Sequence, residues 1–263
     1  MQKTPRVLLI KDSERKGGKG RKLVGFIGCP PQAVMARFRD AELVDLDNRQ
    51  PGVSLTEAKD MLPVNACAII QRILANTLAL RPEVIIFDDG YSKCDNARFL
   101  GNVIEDRVPE VRLIRTQNDS TKPAGTPICD SDLLLAEKVS LILDDIISPV
   151  HKSGLKPCQA PPAAFWGVPC ADEAIYELFP PGTQLLGWLR CFENRTPADL
   201  ELECYVPADV PTIFFAQTFC SKNILAKHLA KKHNGLYVDS DGVLTRSERA
   251  QIEAFLHFRK RGH

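Results

Sequence analysis

The hydrophobic positions of this chain fall into short uninterrupted runs, each followed by a stretch with helical spacing. LVGFIG, PEVIIFDDG and PEVRLIRTQ are too short for helices and too uniformly apolar for half-exposed strands, which predicts buried strands of a parallel sheet. AELVDLD reads as a further short strand. PPQAVMARFRD, residues 55–80, NARFLGNVIEDRV and LLLAEKVSLILDDI carry apolar residues three and four apart, the period of an amphipathic helix. Pro63 interrupts the second of these. Proline lacks an amide donor and disfavours helix in the residue before it, so residues 65–67 are expected at a new helix start.

A second series repeats the first. AFWGVP, TQLLGWL, PTIFFAQTF and GLYVD read as strands, and ADEAIYELF, KNILAKHLAKKH and SERAQIEAFLHF as helices, the last with a capping-type start. Between the series the composition shifts to prolines among small and basic residues, the pattern of an interdomain linker. The expected fold is α/β, with two Rossmann-like lobes whose parallel sheets are flanked by helices. Residues 1–147 form the first lobe, 148–163 the linker and 164–263 the second lobe. The first lobe is expected to open with an edge hairpin, RVLLIKD and LVGFIG around the basic turn of residues 15–22. GFIGCPPQAVMARF parallels FWGVPCADEAIYELF, and VIIFDDGYSKCDNARFLG parallels TIFFAQTFCSKNILAKHL, which points to a weak internal duplication.

Charge narrows the partners. Thirty-four basic residues against thirty-three acidic ones leave no net field to draw the chain onto nucleic acid or an anionic membrane. The first apolar run is too short for a signal peptide, and no stretch reaches the roughly 18 apolar residues of a membrane span. A cytoplasmic location is the expectation, and there the nine cysteines would be kept reduced. No CxxC pair occurs, so the compact spacings of zinc ribbons and bacterial ferredoxins are absent, and a metal site must be assembled by the fold.

Cys29, Cys94, Cys170 and Cys220 each stand where an apolar strand gives way to a helix, the edge that faces the ligand crevice in doubly wound sheets. A helix start lowers a thiol's pKa and suits it to bind metal, while an uncharged thiol also serves as a small apolar core filler. Strand-end position alone leaves both roles open.

Five segments, in order, sharpen the choice. GFIGCPPQAVMARF, LPVNACAIIQRILANTLA, VIIFDDGYSKCDNARFLGNV, AFWGVPCADEAIYELF and IFFAQTFCSKNILAKHLAKKHNGLYVDSDG resemble successive motifs of the 2-hydroxyacyl-CoA dehydratase and benzoyl-CoA reductase family. That resemblance implies a [4Fe-4S] cluster bound by Cys67, Cys94 and Cys220, with one iron left open to water or substrate. It further implies oxygen-sensitive, low-potential one-electron chemistry on an acyl-CoA thioester, reduced to a ketyl radical. Electrons would come from an ATP-hydrolysing iron–sulfur activator protein, and a second related subunit or a second copy would complete the enzyme. The chain departs from the family in three places. About fifty residues, 109–164, stand where the family carries a long run of helices. Ser221 follows Cys220 where Asp is common, and residues 188–195 fit the family's cysteine-rich turn only loosely. A chain that kept the ligands without the acyl-CoA pocket would instead be a cluster-binding electron-transfer or assembly protein.

Cys29, Cys170 and Cys191 are candidates for a fourth ligand, and Cys129, Cys158 and Cys204 read as ordinary residues. Asp88 and Asp89 end a strand, where solvation is the simplest role and an acid–base or metal-binding pair the sharper one. The basic turn lacks P-loop order. Asp239 and Asp241 fall in a turn without a calcium-loop pattern, His228 and His233 read as surface residues, and Trp166 and Trp188 as core.

Overall fold

Val24, Phe26 and Ile27 in one strand and Ile85, Ile86 and Phe87 in its neighbour are all buried, as runs without polar alternation require of a sheet covered on both faces. The computed structural model describes residues 21–259 apart from Ser92, Pro149, His151, Ala171, Asp241 and Gly242. The expected first hairpin arm, most of the basic turn and Asp241 therefore lie outside the described residues.

The first sheet comprises β1 (Leu23–Ile27), β2 (Glu42–Asp45), β3 (Val84–Asp88) and β4 (Arg112–Thr116), all parallel in the order β2-β1-β3-β4. The second comprises β5 (Ala164–Trp166), β6 (Gln184–Leu186), β7 (Thr212–Ala216) and β8 (Leu236–Asp239), parallel in the order β6-β5-β7-β8. The two halves thus have one topology. Helices α1 (Gln32–Met35), α2 (Thr56–Met61), α3 (Ala68–Leu80), α4 (Asp95–Arg107) and α5 (Leu135–Ile147) belong to the first series. In the second, α6 (Trp188–Glu193) and α7 (Leu200–Cys204) precede β7, and α8 (Lys222–Lys232) and α9 (Arg246–Arg259) follow it. Thr245 and Glu248 cap α9 reciprocally, the amide of each bonding the side chain of the other at 2.6 and 3.2 Å.

One apolar core runs through both halves, uniting Phe26 and Ile86 with Ile142 of α5 and with Phe165, Leu189 and Phe215 of the second series. Phe165 meets Tyr176 and Phe179 edge-on and stacks on Phe215. The opposite faces are covered separately, by Ile73, Leu74, Leu100 and Ile104 on the first sheet and by Ala226 and Leu229 on the second. Helix α5, last of the first series, packs against α6 and β6.

Several expectations are corrected. β1 is an inner strand, paired in parallel with β2 on one edge and β3 on the other, so it is not an arm of an edge hairpin. ADEAIYELF forms a 3-10 segment, Glu173–Leu178, in place of an α-helix. Six residues capped by Asp172 and stopped by Pro180 give too few bonds to nucleate more. TQLLGWL leaves the strand at Leu186 because Gly187, at φ 72, turns the chain into α6; a Cβ there would meet the Trp166 ring at 2.9 Å. The proline-rich segment is tied down: the Cys158 amide donates to the Asp130 carbonyl at 2.8 Å and the Asp132 amide to the Lys156 carbonyl at 2.9 Å.

Lys138 crosses between the halves. Fully buried, it donates to the carbonyls of Cys129, Ser131 and Thr183 at 3.1, 2.6 and 2.7 Å, and burial lowers its pKa. Lys138→Met should destabilise the chain by about 2–4 kcal/mol in urea denaturation, because three buried carbonyls lose their donor. An unchanged midpoint would show that these bonds contribute nothing net.

Candidate functional site

Two helix starts and the turn before a third carry Cys67, Cys94 and Cys220. Helix α2 ends at Met61, Leu62 is extended, and a turn from the Ala66 amide to the Pro63 carbonyl at 2.9 Å leads into Cys67, the extended residue that opens α3. After β3 a turn closed by the Lys93 amide on the Gly90 carbonyl at 3.0 Å sets Cys94 in the same role for α4. After β7 the Cys220 amide closes a turn on the Gln217 carbonyl at 3.0 Å, immediately before α8. Cys67 is buried, Cys94 and Cys220 are half-buried, and Cys220 packs against the apolar cluster that contains Cys67.

Burial and neighbouring groups set the protonation of the Cys67 and Cys220 thiols. Burial pushes the Cys67 thiol up, the Ile70 amide pulls it back, and Cys94 raises it again. Cys220 is pushed up to about 11, first by burial, with the Lys222 amide opposing and Cys67 and Cys94 both adding. The helix starts therefore soften a desolvation cost that a bound cation would reverse.

Each cysteine segment also carries an anchored cation. On α3, Arg72 is buried, and its Nη1 donates to the Asp47 carbonyl at 3.0 Å. Lys93, directly before Cys94, lies 3.3 Å from the buried Asp88 carboxylate and about 5.9 and 5.5 Å from the ring centres of Trp188 and Phe192. Lys222 pairs with Glu203 of α7.

Asp88 is not a solvated strand end. Its carboxylate accepts from the amides of Cys29 at 3.3 Å and Asn118 at 3.2 Å, fastening the loops after β1 and β4. Beyond β2, Asp47 accepts from the Gly28 amide at 2.5 Å, and Asp45 accepts from the Asp47 amide and the Asn48 side chain at 2.9 Å each. Burial raises the pKa of both carboxyls, and the charge of Asp47 raises Asp45 further. Sequence reasoning missed Asp45, Asp47 and Arg72. The acid pair at the end of AELVDLD was the available signal.

The other cysteines meet other groups. Cys29 is buried, its carbonyl and sulfur facing the Asn118 side chain at 2.9 and 3.7 Å. The Cys170 amide donates to the Tyr176 hydroxyl at 2.7 Å, and burial raises its thiol. Burial, then Glu203 and Asp199, push Cys191 up to about 12, with its sulfur 3.6 Å from the Asp199 carbonyl. Cys129 lies beside Glu193, which accepts its amide at 2.8 Å. Trp166 is core, its indole donating to the Glu203 carbonyl at 2.7 Å, and Trp188 packs on Phe192. His228 is exposed and His233 half-buried, while Asp239 accepts from the Thr218 hydroxyl at 2.9 Å.

Among the described residues no three His, Cys, Asp or Glu side chains close to the spacing of a single metal ion. Two open clefts lie elsewhere. One, of about 390 Å³, lies between α2 and α3 beside Asp60 and Leu78, and the other, of about 440 Å³, lies beside Cys158, Gln184, Arg190 and Tyr205. No helix among the described residues is long and apolar enough to cross a membrane.

No protein-family model matches the chain, and comparison with curated proteins gives no match.

The raised thiols have a pH signature. The folded state holds the Cys220 proton up to about 11, whereas its ordinary value is 9.0. The resulting stability is complete below the ordinary value and is lost as pH rises through the folded one. Urea denaturation under reductant should therefore show stability falling from about pH 9 to about pH 11, less steeply in Cys220→Ser. Equal slopes in the two proteins would contradict the thiol's burial.

Proposed function

We propose that this chain is an iron–sulfur protein in which Cys67, Cys94 and Cys220 hold a [4Fe-4S] cluster between its two halves, for low-potential one-electron chemistry on an acyl-CoA or similar thioester. The observation that carries the reading is that Cys67 and Cys94 cap the neighbouring helices α3 and α4, and that Cys220, just before α8, packs against the apolar cluster containing Cys67. The ordered resemblance of five segments to the dehydratase and reductase family, named above, supports it from the sequence side.

The chain's own groups have defined work in this reading. The amides that open α3 and α8 lower the Cys67 and Cys220 thiols and favour their thiolates, the form that binds iron. Arg72 and Lys222, which also lower these two thiols, offset the negative charge of a thiolate-bound cluster. Half-burial of Cys94 and Cys220 leaves an approach from solvent. When bound, the cluster supplies an electron store and an iron without a protein ligand. A related subunit or a second copy, and an ATP-hydrolysing activator protein, are the partners this chemistry would need.

A second reading, an electron-transfer or assembly protein without acyl-CoA activity, is favoured by one observation. About fifty residues, 109–164, stand where the resembled family carries the long run of helices that helps enclose the thioester. Calorimetry with acyl-CoA thioesters separates the readings: micromolar-range binding supports the enzyme, and no heat supports the carrier.

Anaerobic reconstitution should load about four iron and four sulfide per chain and give a brown protein with a paramagnetic signal on reduction. Cys94→Ser should lose most of both. Less than one iron per wild-type chain would refute both readings.

A further inference from the structure

Apolar side chains stand in solvent around the candidate site. Val64, three residues before Cys67, is 98% exposed, and Tyr91, three before Cys94, is 85% exposed. Phe219, next to Cys220, is 57% exposed, and Ile224 on the first turn of α8 is 81% exposed. Scattered exposed apolar residues are ordinary, but here each of the three cysteine segments carries at least one within four residues of its thiol.

Phe219 adds backbone strain. It is the third residue of the turn between Gln217 and Cys220 and sits at φ 61, in the left-handed region where glycine is favoured. A side chain is disfavoured there, and here it leaves an aromatic ring in water.

Charge runs on from the apolar rim. Ile224, Lys227, His228, Lys231 and Lys232 are exposed at intervals that share one face of α8, while Ala226, Leu229 and Ala230 point into the core. In a chain of net charge +1 this stripe is a local concentration of positive charge.

We propose that the rim of Val64, Tyr91, Phe219 and Ile224, continued by the basic stripe of α8, is the docking face for an acidic one-electron carrier protein. The inference rests on the iron–sulfur reading. A cluster at the three cysteines needs electrons from outside, and this face is the ground beside them. The stripe selects the sign of the partner and disfavours a second copy, whose identical stripe would meet it with like charge. In the step itself the reduced carrier loses one electron and the cluster gains it. No bond changes and no proton moves.

The test uses the full chain, anaerobically reconstituted, with a reduced acidic bacterial ferredoxin as the probe and reduced methyl viologen as a small cationic control. Phe219→Gly and the double variant Lys227→Glu/Lys231→Glu should each slow reduction by ferredoxin about tenfold, and the wild-type rate should fall with salt. Reduction by viologen and the iron content should not change. Phe219→Gly should also melt higher, since glycine relieves the strained turn. Ferredoxin rates equal to wild type in both variants would overturn the proposal. So would a wild-type dimer in sedimentation that Phe219→Gly converts to monomer, because the face would then belong to a second copy. If no cluster forms, the iron–sulfur reading fails on its own, and calorimetric binding of the ferredoxin to the metal-free chain still decides the face.

Discussion

In a sheet whose strands all run the same way, every connection must cross back over a face. The turn leading out of each strand therefore lies at the carboxyl edge, and the helix that follows points its amide end there. All pairings in both sheets of this chain are parallel. The position of Cys67, Cys94 and Cys220 follows from that constraint. Cys67 and Cys94 cap α3 and α4, Cys220 stands one residue before the cap of α8, and the core shared by Phe26, Ile142, Phe165 and Phe215 holds the two sheets so that Cys220 packs against the cluster containing Cys67.

Convergence alone would leave the turns free to move. Buried charge fixes them. Asp88 takes amides from two loops and an ammonium from Lys93, whose head also rests on the aromatic pair of α6. Arg72 bonds the backbone beyond β2, and Lys222 pairs with Glu203. Removing one partner from such a pair is costly because the other charge stays buried, so these contacts hold geometry more than they add net stability. The same desolvation that makes them rigid raises the Cys67 and Cys220 thiols, which therefore stay protonated at neutral pH.

The strands were legible because burial on both faces writes itself as an uninterrupted apolar run, and the start of α3 was legible because Pro63 can do little else. The 3-10 segment and α6 were not. Their form depends on Pro180 and on the fit of Gly187 against Trp166, contacts that no local period encodes. Among the cysteines, strand-end position singled out Cys29, Cys94, Cys170 and Cys220, yet Cys29 and Cys170 are buried in the core, and Cys67 follows no strand directly. Separating the three from the nine needed the family likeness. Asp88 looked like a solvated strand end, and Asp45 and Asp47 drew no notice, because burial and hydrogen bonding in the assembled fold decide their role.

The shared strand order gives the odd number of site cysteines a history. Helices α4 and α8 correspond, and a cysteine stands at the start of each. The counterpart of α3 falls between β6 and β7, where the helices open at Gly187, which has no room for a side chain, and at Asp199, whose carboxylate bonds the Leu202 amide of its own helix at 2.9 Å. A strictly repeated chain would have placed a fourth thiol at that helix start; the second half has Gly187 and Asp199 there instead.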